Sequence, residues 1–206
     1  MACMTRERGG RRGTGVWGPL AVVLLSLVAF LTACSGDEEP PQPSPPSAQM
    51  ALSLETVRGA GTLSEKAQAD AETEVGDVLS HYVVEGFLGD YPRDDFVGAF
   101  DAFTGGAART AVRDIDLLTA NPYRNASSVQ PTKLDARLSF LVDESDVVGA
   151  SAAVDLAFEA ELADGETAPF TVTGRLLLER TQGSWSIFGY DITRDDPDPT
   201  DVETSP

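Results

Sequence analysis

The stretch Ala150–Leu162, "ASAAVDLAFEAEL", decides the fold because an apolar residue recurs at every second position. Polar residues, among them Ser151, Asp155 and Glu159, lie between the apolar ones. Successive side chains of a strand point to opposite faces of a sheet, so a period of two predicts a strand with one buried and one solvated face. The residues expected on the buried face are Ala150, Ala152, Val154, Leu156, Phe158, Ala160 and Leu162.

The segments on either side of this strand extend the pattern into a meander. The preceding strand begins at about Lys133 and ends in the turn Asp143–Asp146. After Leu162, a turn with the residues Ala163–Glu166 leads to a strand over Phe170–Arg180, and one more short turn leads to a strand over Trp185–Thr193. Short polar turns between alternating strands predict antiparallel hairpins. The residues expected on the buried face of the first strand are Leu134, Ala136, Leu138, Phe140 and Val142.

Upstream of the strands, the apolar period changes to three and four residues, which predicts helices. Thr62 and Glu65 have the spacing of a capping box, and Gly89–Pro92 should end the first helix. A second helix is expected after Pro92, and a shorter one over Ala107–Thr119. The apolar stripes are Val75, Val78, Leu79, Tyr82, Val83 and Phe87 in the first helix, and Phe96, Val97, Phe100 and Phe103 in the second. Helices followed by a meander predict an α+β domain with the helices packed on one face of the sheet.

This order of elements, together with the final "WSIFGYDI" of Trp185–Ile192, resembles the NTF2-like, cone-shaped fold over Leu63–Arg194. Such folds host isomerases, hydrolases and many non-catalytic modules, so the resemblance does not choose between them. It implies N-terminal helices on a curved antiparallel sheet and an interior that can hold a ligand. The candidate pocket residues are Tyr82, Phe100, Phe158 and Tyr190.

Catalytic relatives of this fold place a carboxylate inside the cone, so the alternative function is an isomerase or hydrolase with Asp155 or Asp191 as the base. Asp155 lies among the polar positions of its strand, and His81 is expected to be an exposed helix residue, so we expect no catalysis. Either of these two aspartates buried in a pocket beside Tyr82 or Tyr190 would favour the enzyme. A cone filled by Phe100, Phe158 and Leu176 would exclude the enzyme alternative.

Composition narrows the classes of ligand. One histidine and two cysteines do not provide a zinc site of the usual kind, and no phosphate-binding or dinucleotide motif occurs, so we expect neither metal nor cofactor. The acidic alternation of Asp195–Asp201 lacks the glycine and glutamate of a calcium loop. A formal net charge of −18 excludes a nucleic-acid-binding role, because phosphates would be repelled.

The N-terminus carries a basic segment, Arg6–Arg12, and then an apolar run, Leu20–Ala33, too short to span a bilayer comfortably. Leu31-Thr32-Ala33-Cys34 resembles the lipobox of bacterial lipoproteins. That resemblance implies cleavage between Ala33 and Cys34 and a diacylglycerol on the Cys34 sulfur. The export route, general or twin-arginine, stays open.

Four parts are therefore expected: a signal peptide over 1–33, a lipidated cysteine and Pro/Ser/acidic tether over 34–50, the α+β domain over 51–195, and an acidic tail over 196–206. The expected protein is anchored by lipid to the outer side of the cell membrane. Its domain would bind a small apolar ligand or dock onto another envelope protein, without catalysis. Alternatively, it serves as a soluble scaffold that needs no pocket, and the resemblance also implies a homodimer through the outer sheet face.

Overall fold

Five strands form one sheet in the order β1-β2-β3-β4-β5 in the computed structural model, which describes residues 50–196. Strands β2 to β5 form the predicted antiparallel meander, whereas β1 runs parallel to β2. The strands are β1 (Ser53–Arg58), β2 (Ser128–Asp143), β3 (Asp146–Glu161), β4 (Thr167–Thr181) and β5 (Ser184–Asp195). The signal peptide, the tether and Cys34, as well as the tail after Asp196, lie outside the described residues.

Alternate residues of β3 lie on opposite faces of the sheet, as predicted. Ala152, Leu156 and Phe158 are buried on the inner face, whereas Ser151 and Asp155 lie on the outer face. In β2, Leu134, Ala136, Leu138 and Phe140 are likewise buried, and Val142 is partly buried against the core. The predicted α+β class is therefore confirmed: helices pack on one face of a curved, mostly antiparallel sheet.

The first predicted helix is α1 (Glu65–Phe87), and its apolar stripe faces the sheet. Its N-cap is Ser64 and not Thr62, because the Ser64 hydroxyl accepts a hydrogen bond from the Ala67 backbone N–H, whereas Thr62 lies in a short 3₁₀ turn. A serine hydroxyl at this position satisfies one of the free N–H groups of the first turn. The helix ends at Phe87, before the predicted stop.

The second predicted helix is wrong in type. Val97–Ala102 is a 3₁₀ segment, and Val97 is 51% exposed, while Phe96, Phe100 and Phe103 are buried as expected. The backbone N–H of Thr104 donates to the Ile187 carbonyl, so this segment is drawn against the edge of β5. These contacts hold the segment in a tighter helical form than its apolar spacing predicts.

The shorter helix predicted over Ala107–Thr119 consists of two pieces, α2 (Gly105–Ala111) and α3 (Ile115–Leu118). Thr104 is the N-cap of α2, and its side chain accepts a hydrogen bond from the Ala107 N–H at 3.4 Å. The Gly105-Gly106 pair therefore begins a helix and does not interrupt one.

Strand β1 was not predicted. It is a mostly exposed edge strand, and Leu54 packs over Gly76 of α1, where a Cβ would lie 2.6 Å from the Leu54 Cδ1. At its end, Gly59 has a φ of 85° and lies against the backbone of Phe140. Because β1 is mostly exposed, it buries little apolar surface, and its sequence carries only a weak alternation.

Candidate functional site

The inside of the cone is packed with side chains. Phe87 stacks on Phe158 with ring centroids 4.7 Å apart, and Phe158 stacks on Phe170 at 5.1 Å. Tyr123 continues the stack beyond Phe170 at 4.8 Å. These rings and Leu176 lie between α1 and the sheet, and Phe158, Phe170 and Leu176 are fully buried. Some of these residues were expected either to line an open cone or to fill it. They fill the cone.

The four candidate pocket residues belong to this packing. Tyr82 is buried, and its hydroxyl donates to the Leu118 carbonyl at 2.7 Å. Phe100 packs edge-to-face on Phe103 at 5.4 Å, and Phe158 lies in the ring stack. Tyr190 is half-buried, and its hydroxyl donates to Asp114 at 2.6 Å. The prediction of a pocket at these residues is replaced by a core in which both tyrosine hydroxyls have partners.

Neither candidate base lies inside the cone. Asp155 lies on the outer face of β3 with its side chain 50% exposed, and it forms an ion pair with Lys133 of β2. Asp191 is exposed on β5, directly opposite Arg175 of β4. His81 is exposed on α1, as expected. A carboxylate that serves as a general base in such an interior is expected to be buried. Neither aspartate is buried.

The tyrosines have strongly perturbed proton affinities. Burial raises the pKa of Tyr82, and burial followed by the hydrogen bond to Asp114 raises the pKa of Tyr190 to about 12. The pKa of Tyr91 is raised to about 12, also by burial, and its hydroxyl donates to the Phe87 carbonyl. Phenols that lose their protons only at such pH serve as hydrogen-bond donors and not as bases near neutral pH.

The outer face of the sheet divides into two ends, and the first is polar. A depression of ≈ 350 Å³ lies near β1, between Glu55, Lys133, Arg137 and Asp155. Lys133 pairs with Asp155 and lies 3.9 Å from a carboxylate oxygen of Asp135. The cation Lys133 and the carboxylates of this depression are therefore engaged with one another.

The other end of the outer face is apolar, and two β-bulges produce it. Leu141 pairs with Gly149 and Val142 with Val147, so Val148 is an extra residue in β3. In β5, Phe188 is an extra residue between the partners of Leu177 and Leu178. A bulge re-aims the side chain of its strand. Both extra residues are exposed apolar residues, Val148 by 41% and Phe188 by 46%.

Val148 and Phe188 share a depression of ≈ 410 Å³ with Leu141, which is 66% exposed. We call these three residues the bulge patch. Gly149 also lines this depression. A Cβ at Gly149 would lie 3.7 Å from the Cβ of Leu141. Adjacent exposed apolar side chains on a protein surface mark contact sites for other molecules.

The sequence carries a signal for the bulge patch. Val147-Val148 and Ile187-Phe188 are adjacent apolar pairs within strands that otherwise alternate. In each pair the first residue is buried and the second is exposed. Two neighbouring apolar residues in an alternating strand indicate either a bulge or an apolar outer face, and both occur here.

No family model and no curated protein matches this chain. Among solved structures, the chain is similar to one from Xanthomonas campestris described as a "putative calcium/calmodulin dependent protein kinase II association domain". The two share 10% sequence identity with a TM-score of 0.39, over 69% of this chain and 95% of the other. The fold described above rests on the strand pairing and burial of this chain itself.

Among residues 50–196, no helix is long and apolar enough to cross a bilayer, and no group of side chains is arranged to hold a metal ion.

Proposed function

We propose that this protein is a lipoprotein anchored to the outer side of the cell membrane, whose domain docks onto another envelope protein through the bulge patch. The single observation that carries the proposal is the contrast between a filled cone and an exposed apolar patch raised by two bulges. The proposed module is not catalytic. It places a contact surface at a defined distance from the membrane.

The anchor is supported by the sequence. Leu31-Thr32-Ala33-Cys34 follows a basic segment and an apolar run, and the Pro-rich stretch after Cys34 has almost nothing to bury. Two acyl chains hold a protein stably on a bilayer, whereas one holds it only marginally. Pro-rich linkers of proteins favour extended polyproline geometry, at about 3.1 Å per residue, and act as spacers.

A small-ligand function is supported less well than docking. The interior that would hold the ligand is occupied by the stacked rings of Phe87, Phe158 and Phe170. The enzyme alternative requires a buried carboxylate, and Asp155 and Asp191 are both on the outside of the sheet. Docking requires only an exposed apolar surface on a rigid element, and the residues of the bulge patch lie on strands β2, β3 and β5 of one sheet.

The anchor is tested by the mass and membrane partitioning of the full chain against Cys34→Ala in a bacterial host. We expect the native chain to sediment with membranes and to begin at a diacylglyceryl-modified Cys34, while the variant loses both the modification and the sedimentation. An unmodified native chain that is released into the medium would contradict the anchor.

Docking is tested by replacing Phe188 with a photoreactive amino acid in the full chain and irradiating intact cells. Val112 of the helical side, which is also 46% exposed, is the matched control position. We expect a discrete protein adduct from position 188 and not from position 112. Equal adducts from both positions, or none from either, would contradict docking through the bulge patch.

A further inference from the structure

We infer that the partner presents to the bulge patch a segment whose apolar side chains are flanked by lysines or arginines. This inference rests on the proposed docking function and concerns the chemistry of the partner. It follows from the charges that surround Leu141, Val148 and Phe188.

The rim of the bulge patch is acidic. Strand β2 continues from Leu141 into the turn Asp143–Asp146, where Asp143, Glu144 and Asp146 are all exposed. On the neighbouring strand, Glu179 pairs in register with Gly149 and lines the depression directly. One carboxylate therefore lines the depression of the bulge patch, and three more lie in the turn that follows Leu141.

Arg180, the cation next to Glu179 in the sequence, is engaged elsewhere. Arg180 directs its guanidinium toward Glu74 of α1, with 3.1 Å between Nη2 and Oε2, and so reaches the helical side of the sheet. Arg175 lies opposite Asp191 across the β4–β5 pair. Among residues 50–196, none of the four carboxylates Asp143, Glu144, Asp146 and Glu179 forms an ion pair, whereas at the polar end of the same face Lys133 pairs with Asp155.

A second copy of the chain fits the bulge patch poorly. It would bring another set of the same four carboxylates against the first, on a chain whose formal net charge is already −18. Anionic lipid headgroups would be repelled in the same way. A cationic segment meets the rim with complementary charge, and its apolar side chains meet Leu141, Val148 and Phe188.

The two parts of the surface have separate roles. Exposed charge pairs contribute little to affinity, but they raise the association rate and suppress wrong partners. Apolar side chains that become buried at the centre of a contact supply most of its stability. Reversing rim charges should therefore change the selectivity and rate of docking, while removal of Phe188 should abolish the contact.

The experiment uses the photoreactive amino acid at position 188 in the full chain, in intact cells, with two charge reversals. The first pair, Asp143→Lys with Asp146→Lys, changes the rim. The second pair, Glu159→Lys with Glu166→Lys, makes the same change in net charge at the opposite end of β3 and its turn, where both residues are exposed. Unfolding midpoints of both double variants establish that each folds.

We expect the rim reversal to lower the adduct yield about tenfold, and the distant reversal to leave it within about twofold. The adduct peptide, read by mass spectrometry, should contain apolar residues next to Lys or Arg. A patch-specific adduct that the rim reversal leaves unchanged, or a crosslinked segment without basic residues, would overturn the inference while docking stands. An adduct with a second copy of this chain or with lipid would also overturn it, and the absence of any patch-specific adduct would overturn docking itself.

Discussion

Phe158 and Phe188 are the same side chain on two faces of one sheet, and their surroundings differ in every respect. Phe158 lies between the rings of Phe87 and Phe170 on the inner face and is 1% exposed. Phe188 stands on a bulge of the outer face and packs on no ring within this chain among the described residues. The inner face therefore holds the fold together, and the outer face is available to another molecule.

The difference teaches that strand register, and not the type of residue, determines whether an apolar side chain is buried in the core or exposed for contact with another molecule. Along β5, Ile187 is buried and the next residue, Phe188, is exposed, because the bulge adds one residue between the partners of Leu177 and Leu178. Without the bulge, a shift of one position would exchange the two faces. The variants below test the two faces separately.

The largest expected effect is that of Phe158→Ala, which removes the central ring of the stack. We expect the free energy of unfolding to fall by about 3–5 kcal/mol, because a cavity remains where the ring was. Chemical denaturation of the chain carrying Cys34→Ala, followed by circular dichroism, measures it. A loss below about 1 kcal/mol would show that the cone is not filled as described.

A smaller effect is expected from Tyr82→Phe. The change removes the hydroxyl that donates to the Leu118 carbonyl and leaves this buried acceptor unpaired. The free energy of unfolding should fall by about 1–3 kcal/mol. Tyr123→Phe is the control, because the Tyr123 hydroxyl meets Asp196 at 3.3 Å at an exposed position; equal losses in the two variants would contradict the role given to burial.

The inner face also makes stability depend on pH in the alkaline range. The folded-state pKa of Tyr82, Tyr91 and Tyr190 is raised above 10, mainly by burial, so the folded chain keeps protons that the unfolded chain loses. This stability is complete below pH 10 and is lost as the pH rises toward the folded-state pKa, about 12 for Tyr91 and Tyr190. Denaturation midpoints measured across this range should fall, and less steeply in Tyr190→Phe. Phenolate absorbance that develops fully at pH 10 in the folded protein would contradict the burial of these rings.

The smallest effect on stability is expected from Phe188→Ala, the same truncation as Phe158→Ala on the other face. The free energy of unfolding should change by about 1 kcal/mol or less, since the ring is already 46% exposed. The docking adduct, read from a photoreactive amino acid at Val148 in this variant, should nevertheless disappear. A loss of stability as large as that of Phe158→Ala would show that Phe188 belongs to the core.

The sequence predicted the meander and α1 well because burial on one side imposes a strict period on both. Leu134 to Phe140 and Ala150 to Ala160 alternate without exception, and Val75 to Phe87 keep the helical spacing. Strand β1 and the 3₁₀ segment at Val97 were not predicted, since each is held by contacts with distant residues such as Gly76 and Ile187. The pocket prediction for Tyr82 and Phe158 was wrong because aromatic spacing is the same in a filled and an open interior.

The apolar pairs Val147-Val148 and Ile187-Phe188 indicate exposed apolar residues in the sequence. They do not indicate where in the sheet these residues come together. Val148 and Phe188 are far apart in sequence and come together only through the register of β3, β4 and β5. The acidic rim likewise combines the turn after Leu141 with Glu179 of another strand. Pairing of this kind is set by the whole sheet, and a single-strand pattern does not contain it.

The central claim is that the outer face, at the bulge patch, is the working surface of the protein. Amide hydrogen exchange of the full chain, compared between isolated membranes of its host and detergent solution, tests it most directly. The bulge residues Val148 and Phe188 lack regular ladder partners, so their amides report on whether another molecule covers them. We predict slower exchange in membranes over 141–149 and 185–190 alone. Protection that appears at the polar end around Lys133 and Asp155, or on the helical side and not at the bulges, would contradict the account.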